Sequence, residues 1–111
     1  MKKEEQFMNE YLAWKTNNIN NKSGFFPIYN DFLNHLNNLS PGAVSLYLYF
    51  GINSKNMTGE SFHSIEKISD YFDRTPRTIT NWINELEEYG LIERKQKGYN
   101  KVAVTYLKPY Y

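Results

Sequence analysis

Apolar residues recur near the start of the chain at Phe7, Tyr11 and Trp14, with Met8 and Leu12 beside them. This i, i+4, i+7 spacing predicts a short amphipathic helix between Glu4 and Trp14. The segment Asn17-Asn18-Ile19-Asn20-Asn21-Lys22-Ser23-Gly24 is made of residues that compete with regular backbone structure, and it reads as a linker. Residues 1–24 are therefore expected to form a helical arm and linker, and residues 25–111 the main domain. Phe25 to Tyr29 is a short extended run, after which Asn30 or Asp31 can cap a brief helix carrying Phe32, Leu33 and Leu36. Ser40-Pro41 is a stronger start signal. Ser accepts from the first free amides, and Pro at the first helical position loses nothing by lacking an N–H. The helix begun there reaches about Ile52, with Ala43, Leu46, Tyr47 and Phe50 on one apolar face. Leu48, Tyr49 and Ile52 make its opposite side apolar too, so it needs cover on both sides.

A polar loop from Asn53 to Glu60 leads to a brief extended Ser61-Phe62-His63. Ser64 then caps a helix whose Ile65, Ile68 and Phe72 step by three and four, ending near Asp73-Arg74. After a short turn, Thr75 caps and Pro76 opens a further helix with Ile79, Trp82, Ile83, Leu86 and Tyr89 inward, stopped by Gly90. Leu91 to Gln96 and Val102 to Leu107 are strand-like runs around Lys97-Gly98-Tyr99-Asn100-Lys101, a hairpin with a Gly-containing loop.

Helix, short turn, helix and hairpin follow one another in the order of a winged helix-turn-helix. The runs Ser64 to Phe72 and Thr75 to Arg94 resemble the helix-turn-helix and first wing strand of bacterial winged-helix DNA-binding proteins. Phe26 to Ile52 and the closing Tyr106-Leu107-Lys108-Pro109-Tyr110 are similar in layout to the N-terminal domains of DnaD-type primosome proteins and Gram-positive plasmid replication initiators. The expected fold is α+β, a winged helix-turn-helix with an N-terminal amphipathic helical arm. The resemblance implies a cytoplasmic protein of a bacterium, plasmid or phage. It would bind double-stranded DNA for transcription regulation or replication, alongside other replication or transcription proteins.

Composition narrows this picture. The 111 residues, 41% hydrophobic and 23% charged, suffice for one globular core. There is no cysteine, which excludes disulfides, thiolate metal sites and cysteine nucleophiles. The only histidines, His35 and His63, lie in separate elements, and no HExxH, GxSxG or P-loop pattern occurs, so no enzyme, metal or cofactor is expected. Two carboxylates, Glu4 and Glu5, stand where a signal peptide would begin its apolar core, and no membrane partner is expected. Net charge is only +1, but it is unevenly spread. Ser61 to Glu93 holds three cations against seven carboxylates, whereas Arg94 to Tyr111 holds five cations and no carboxylate. Such asymmetry marks a surface that meets phosphates.

On the second helix of the motif, Arg77, Asn81, Asn84 and Glu88 lie opposite Ile79, Ile83 and Leu86, with Thr80 at the flank. Arg and Asn can bond guanine and adenine edges bidentately, so Arg77 and Asn81 are the expected base readers. Thr75, Thr78 and Thr80 can donate to phosphates at the positive end of the helix. Glu85, Glu87 and Glu88 would be repelled by phosphate, which leaves only the front of this helix for a groove. Arg94, Lys95, Lys97, Tyr99 and Lys101 make a basic wing that can clamp the backbone. Tyr99 could instead stack on an unpaired base in a single-strand binder. A winged helix can also serve as a protein-interaction module. Phe7, Tyr11 and Trp14 of the arm and Leu48, Tyr49 and Ile52 of the helix can cover each other within one chain, giving a monomer, or across a two-fold axis with exchanged arms; the homodimer is the expectation.

Overall fold

The computed structural model describes residues 2–22, 24–55, 57–96 and 102–111. Its first helix, α1 (Lys2–Asn20), runs past the expected end at Trp14 and absorbs the first half of the asparagine segment. The asparagines bond back onto the helix instead of leaving it. The Asn18 side chain donates to the Trp14 carbonyl at 2.9 Å, and the Asn21 N–H donates to the Asn17 carbonyl at 2.9 Å. The chain turns off at Lys22, with φ +53°, and Gly24, with φ +80°. No residue of α1 is buried.

A 3₁₀ turn (Asn30–Phe32) and α2 (Leu33–Leu36) follow. Neither Asn30 nor Asp31 caps this brief helix through its side chain, contrary to expectation; the turn closes through the Phe32 N–H on the Tyr29 carbonyl, 2.9 Å away. The next three helices start as the caps predict. Ser40 accepts from Ala43 N–H to open α3 (Pro41–Ile52), Ser64 from Lys67 N–H to open α4 (Ile65–Phe72), and Thr75 from Thr78 N–H to open α5 (Pro76–Glu88). Gly90, at φ +71°, takes the left-handed conformation that ends α5 and lets the Leu91 N–H reach the Leu86 carbonyl. Three strands, β1 (Glu60–Ser61), β2 (Ile92–Gln96) and β3 (Ala103–Leu107), form an antiparallel sheet in the order β1-β3-β2, with Arg94 opposite Thr105 and Ser61 opposite Thr105 on its other side. Helix-turn-helix followed by a two-stranded wing makes this an α+β winged helix-turn-helix.

The core lies between α3, α4, α5 and the sheet, where Ala43, Leu46, Phe50, Ile68, Ile79, Leu86 and Leu91 are fully buried. Each of the large side chains contributes about 1.5–3 kcal/mol on leaving water. A second apolar group joins the two ends of the domain. The ring of Tyr47 packs on Phe26 and Phe32, with centroids 5.7 and 4.8 Å away, and Tyr110 closes over Phe32 at 5.4 Å. Tyr110 also accepts a hydrogen bond from the Tyr29 N–H at 2.8 Å. Burial, and then the neighbouring Tyr110, push the Tyr47 phenol well above its ordinary range.

Two expected orientations are corrected. Tyr49 does not face outward with Leu48 and Ile52; it is only 9% exposed, because the rings of Tyr71, His63 and Phe72 cover it at 4.9, 5.2 and 5.5 Å. Tyr89, expected inward, is exposed, since α5 ends at Glu88 and the chain has begun to turn.

α3 crosses α5 at Gly42, where any Cβ would overlap the Trp82 indole. Alanine at position 42 gains up to about 1 kcal/mol of helix propensity but overpacks this crossing, so Gly42→Ala should lose about 1–2 kcal/mol net, read from the urea midpoint. A midpoint that rises would mean that the indole does not fix this distance.

Candidate nucleic-acid interface

The turn between α4 and α5 is tied from within. α4 stops at Asp73, whose φ of +52° is a left-handed conformation that Asp tolerates better than most residues. The Ser69 hydroxyl donates to the Arg74 carbonyl, while the Arg74 N–H donates to the Ser69 carbonyl at 3.1 Å. α5 therefore leaves the turn in a fixed direction. Its Ile79, Ile83 and Leu86 face the core, and Thr75, Arg77, Thr80, Asn81 and Asn84 are exposed. Thr78 is half-buried, and its hydroxyl lies 3.1 Å from that of Thr75. The exposed face of α5 thus presents a guanidinium and two carboxamides, with Arg77 and the Thr75 hydroxyl at the positive end of the helix and Asn84 farther along it.

Two acids at the rear of α5 are turned to internal use. The Glu85 carboxylate accepts from the Ser40 N–H at 2.7 Å and the Ser40 hydroxyl at 2.6 Å, which binds α5 to the start of α3. Glu87 accepts from the Arg94 N–H at 3.2 Å. The sequence suggests three carboxylates facing a phosphate backbone; the structure bonds two of them to the protein itself.

Arg94 also departs from expectation. Its guanidinium is turned inward, where Nη1 donates to the Thr105 hydroxyl at 2.8 Å and Nη2 to the His63 carbonyl at 2.7 Å. Burial lowers its pKa and Glu87 partly offsets the effect. It is a brace between β2, β3 and the segment before α4. Strand parity could have revealed this, because Arg94 shares a face with buried Ile92 while Lys95 points the other way. Lys95 and Lys108 both approach Glu93, at 3.3 and 3.7 Å, in exposed pairs of little energy that leave both cations usable. Lys97, Tyr99 and Lys101 lie outside the described residues. Lys67 on α4 and Arg74 in the turn before α5 are further exposed cations, which no spacing or motif in the sequence marks.

His63 packs on Tyr49, and its Nδ1 is buried with no hydrogen-bond partner among the described residues. Burial first, then Lys67 and Arg94, lower its pKa below the ordinary 6.5. His35 instead lies against Tyr110 at the far side of the aromatic group. Among the described residues no three His, Cys, Asp or Glu side chains gather to hold a metal ion, and no helix is long and apolar enough to cross a membrane.

These contacts set two expectations. Removing the brace leaves the Thr105 hydroxyl and the His63 carbonyl without their charged donor, so Arg94→Ala should cost about 2–3 kcal/mol in urea unfolding. Arg94→Lys should not restore it, since an ammonium cannot span both acceptors as the fork does. For His63, the unfolded chain holds its proton at higher pH than the folded one. Stability should be level above about pH 6.5 and fall as pH drops through the window below it. Melting temperatures at about pH 7.5 and pH 5.5 measure this, and His63→Asn should flatten the difference.

Residues 37–92 match the model of a family described as a helix-turn-helix domain. Among curated proteins, none matches the chain. Two solved structures share its fold. One, described as the structure of a Rep–DNA complex, is 21% identical over 83% of this chain and 80% of that one, with a TM-score of 0.60. The other, the N-terminal domain of a DNA binding protein, is 22% identical over 83% of this chain and 79% of that one, with a TM-score of 0.58.

Proposed function

The chain belongs to a helix-turn-helix domain family, and from that premise we propose that it binds double-stranded DNA without catalysing a reaction. The front of α5 enters the major groove and the wing lies along the adjacent backbone. One observation carries this reading. The exposed face of α5 carries Arg77, Asn81 and Asn84 with Thr75 and Thr80 at its front, while of the three acids toward its end Glu85 and Glu87 are bonded within the protein and Glu88 stays exposed. A helix face so arranged offers bidentate donors to base edges and an end favourable to phosphate.

Arg77 and Asn81 are the base readers in this proposal, Thr75 and Thr80 contact phosphate at the helix front, and Lys95, Lys97, Lys101 and Lys108 supply wing charge. Arg94 is withdrawn from that set and positions the wing instead. Between replication initiation and transcription control, the fold shared with a DNA-bound Rep protein favours the first. One such motif reads only a few base pairs, so two copies on half-sites about 34 Å apart would supply the specificity. Selection from genomic fragments tests the role: enrichment of origin repeats supports replication, and enrichment of the chain's own promoter supports transcription control.

With about three to five phosphates neutralised, log K against log salt should slope at about −2.7 to −4.5. Lys97→Ala with Lys101→Ala should weaken all sequences alike and flatten that slope. Arg77→Ala and Asn81→Ala should each reduce discrimination between sequences by about 1–3 kcal/mol. Titration of matched and mismatched duplexes at several salt concentrations separates these effects. Absence of any duplex shift at low salt would overturn DNA binding and leave a protein-interaction module; preference for single strands, lost on Tyr99→Ala, would move the function to single-stranded DNA.

A further inference from the structure

The arm helix is the largest apolar feature that the proposed DNA contacts leave unused. At 100° per residue, Phe7, Met8, Tyr11, Leu12, Trp14 and Ile19 fall within an arc of about 160° on α1. All six are 54–64% exposed. Together they offer roughly 600 Å² of apolar surface, as much as the largest patch on a typical monomer. The domain does not cover it, since no residue of α1 is buried. The groove of 630 Å³ bounded by Phe25, Phe26, Ile52 and Leu107 matches one small ligand in size and could take only part of a six-residue stripe.

We propose that α1 pairs antiparallel with α1 of a second copy of this chain. Two such stripes face to face offer up to about 1,200 Å² for burial, which reaches the lower bound for a specific protein interface. Charge selects the direction. Glu4 lies at the centre of the arc near one end and Lys15 lies within it near the other. Parallel helices would set Glu4 beside Glu4 and Lys15 beside Lys15. Antiparallel helices crossing at Tyr11 bring each Lys15 toward the second copy's Glu4 and Glu5, and they oppose the helix dipoles favourably. In that register Tyr11 meets the second copy's Tyr11, and Phe7 meets its Trp14. The pairing replaces the expected seat of the arm on α3, whose outward face the burial of Tyr49 reduces to Leu48 and Ile52. It stands whether or not the domain binds DNA.

Sedimentation equilibrium of the full chain at tens of micromolar should give twice the chain mass. Tyr11→Glu and Trp14→Glu should each give the single mass with the unfolding midpoint of the domain unchanged. Because the chain has no cysteine, a lone Tyr11→Cys should form an interchain disulfide under diamide. A monomeric wild type overturns the proposal. So does a dimer that survives both glutamate variants, or one that Ile52→Glu abolishes while Tyr11→Glu leaves it intact.

Discussion

A half-buried guanidinium holds the wing to the helix-turn-helix. Arg94 extends from β2, crosses to the Thr105 hydroxyl of β3 and ends on the carbonyl of His63, the residue that precedes the cap of α4. Its own backbone N–H is held by Glu87 of α5. β2, β3, α5 and the segment before α4 therefore meet at one residue. Bringing that charge partly out of water is costly, and the cost is met by two short charge-assisted bonds to neutral acceptors. The same geometry makes a neutral His63 the compatible neighbour. A second cation packed there would face Arg94 and Lys67 together, which is why burial and charge act on this imidazole in one direction.

The carboxylates solve a related problem at the other end of α5. A helix that presents its positive end to phosphate gains from having its rear acids occupied, and Glu85 is occupied by Ser40. Ser40 uses one residue three ways. Its hydroxyl oxygen accepts from Ala43 N–H as the cap of α3, its hydroxyl hydrogen goes to Glu85, and its backbone N–H goes to the other Glu85 oxygen. The start of α3 and the back of α5 are thus one joint, next to the close crossing of Gly42 and Trp82. The polar front of α5 is set in place from behind.

Local signals in the chain were legible wherever one residue type performs a local task. Ser40, Ser64 and Thr75 mark helix starts because each cap needs only its own side chain and an amide three residues on. Gly90 marks an end because a positive φ is cheap there. The arm and linker were less legible, because Asn17 to Asn20 have two outlets of similar energy, a loop or a helix with side chains bonded back to it. Tyr49 is hard to place from sequence for a different reason. On a helix apolar all round, spacing cannot say which side the chain itself covers, and the covering rings, Tyr71 and Phe72, come from α4. Charge alone puts Arg94 on the wing surface, whereas strand parity and its partners Thr105 and His63, both distant in sequence, turn it inward. The front of α5, by contrast, follows from helical spacing alone, and its residues lie where that spacing puts them.

The bond between Tyr29 and Tyr110 ties residues 81 positions apart. On a ribosome adding about 5–20 residues per second, roughly 4–16 s separate the synthesis of the two. For most of that interval, once Tyr47 has been added, Phe26, Phe32 and Tyr47 are present but lack the ring that closes over them. The nascent chain carries an open aromatic face until Tyr110 has left the tunnel, so this side of the domain cannot close before that residue emerges.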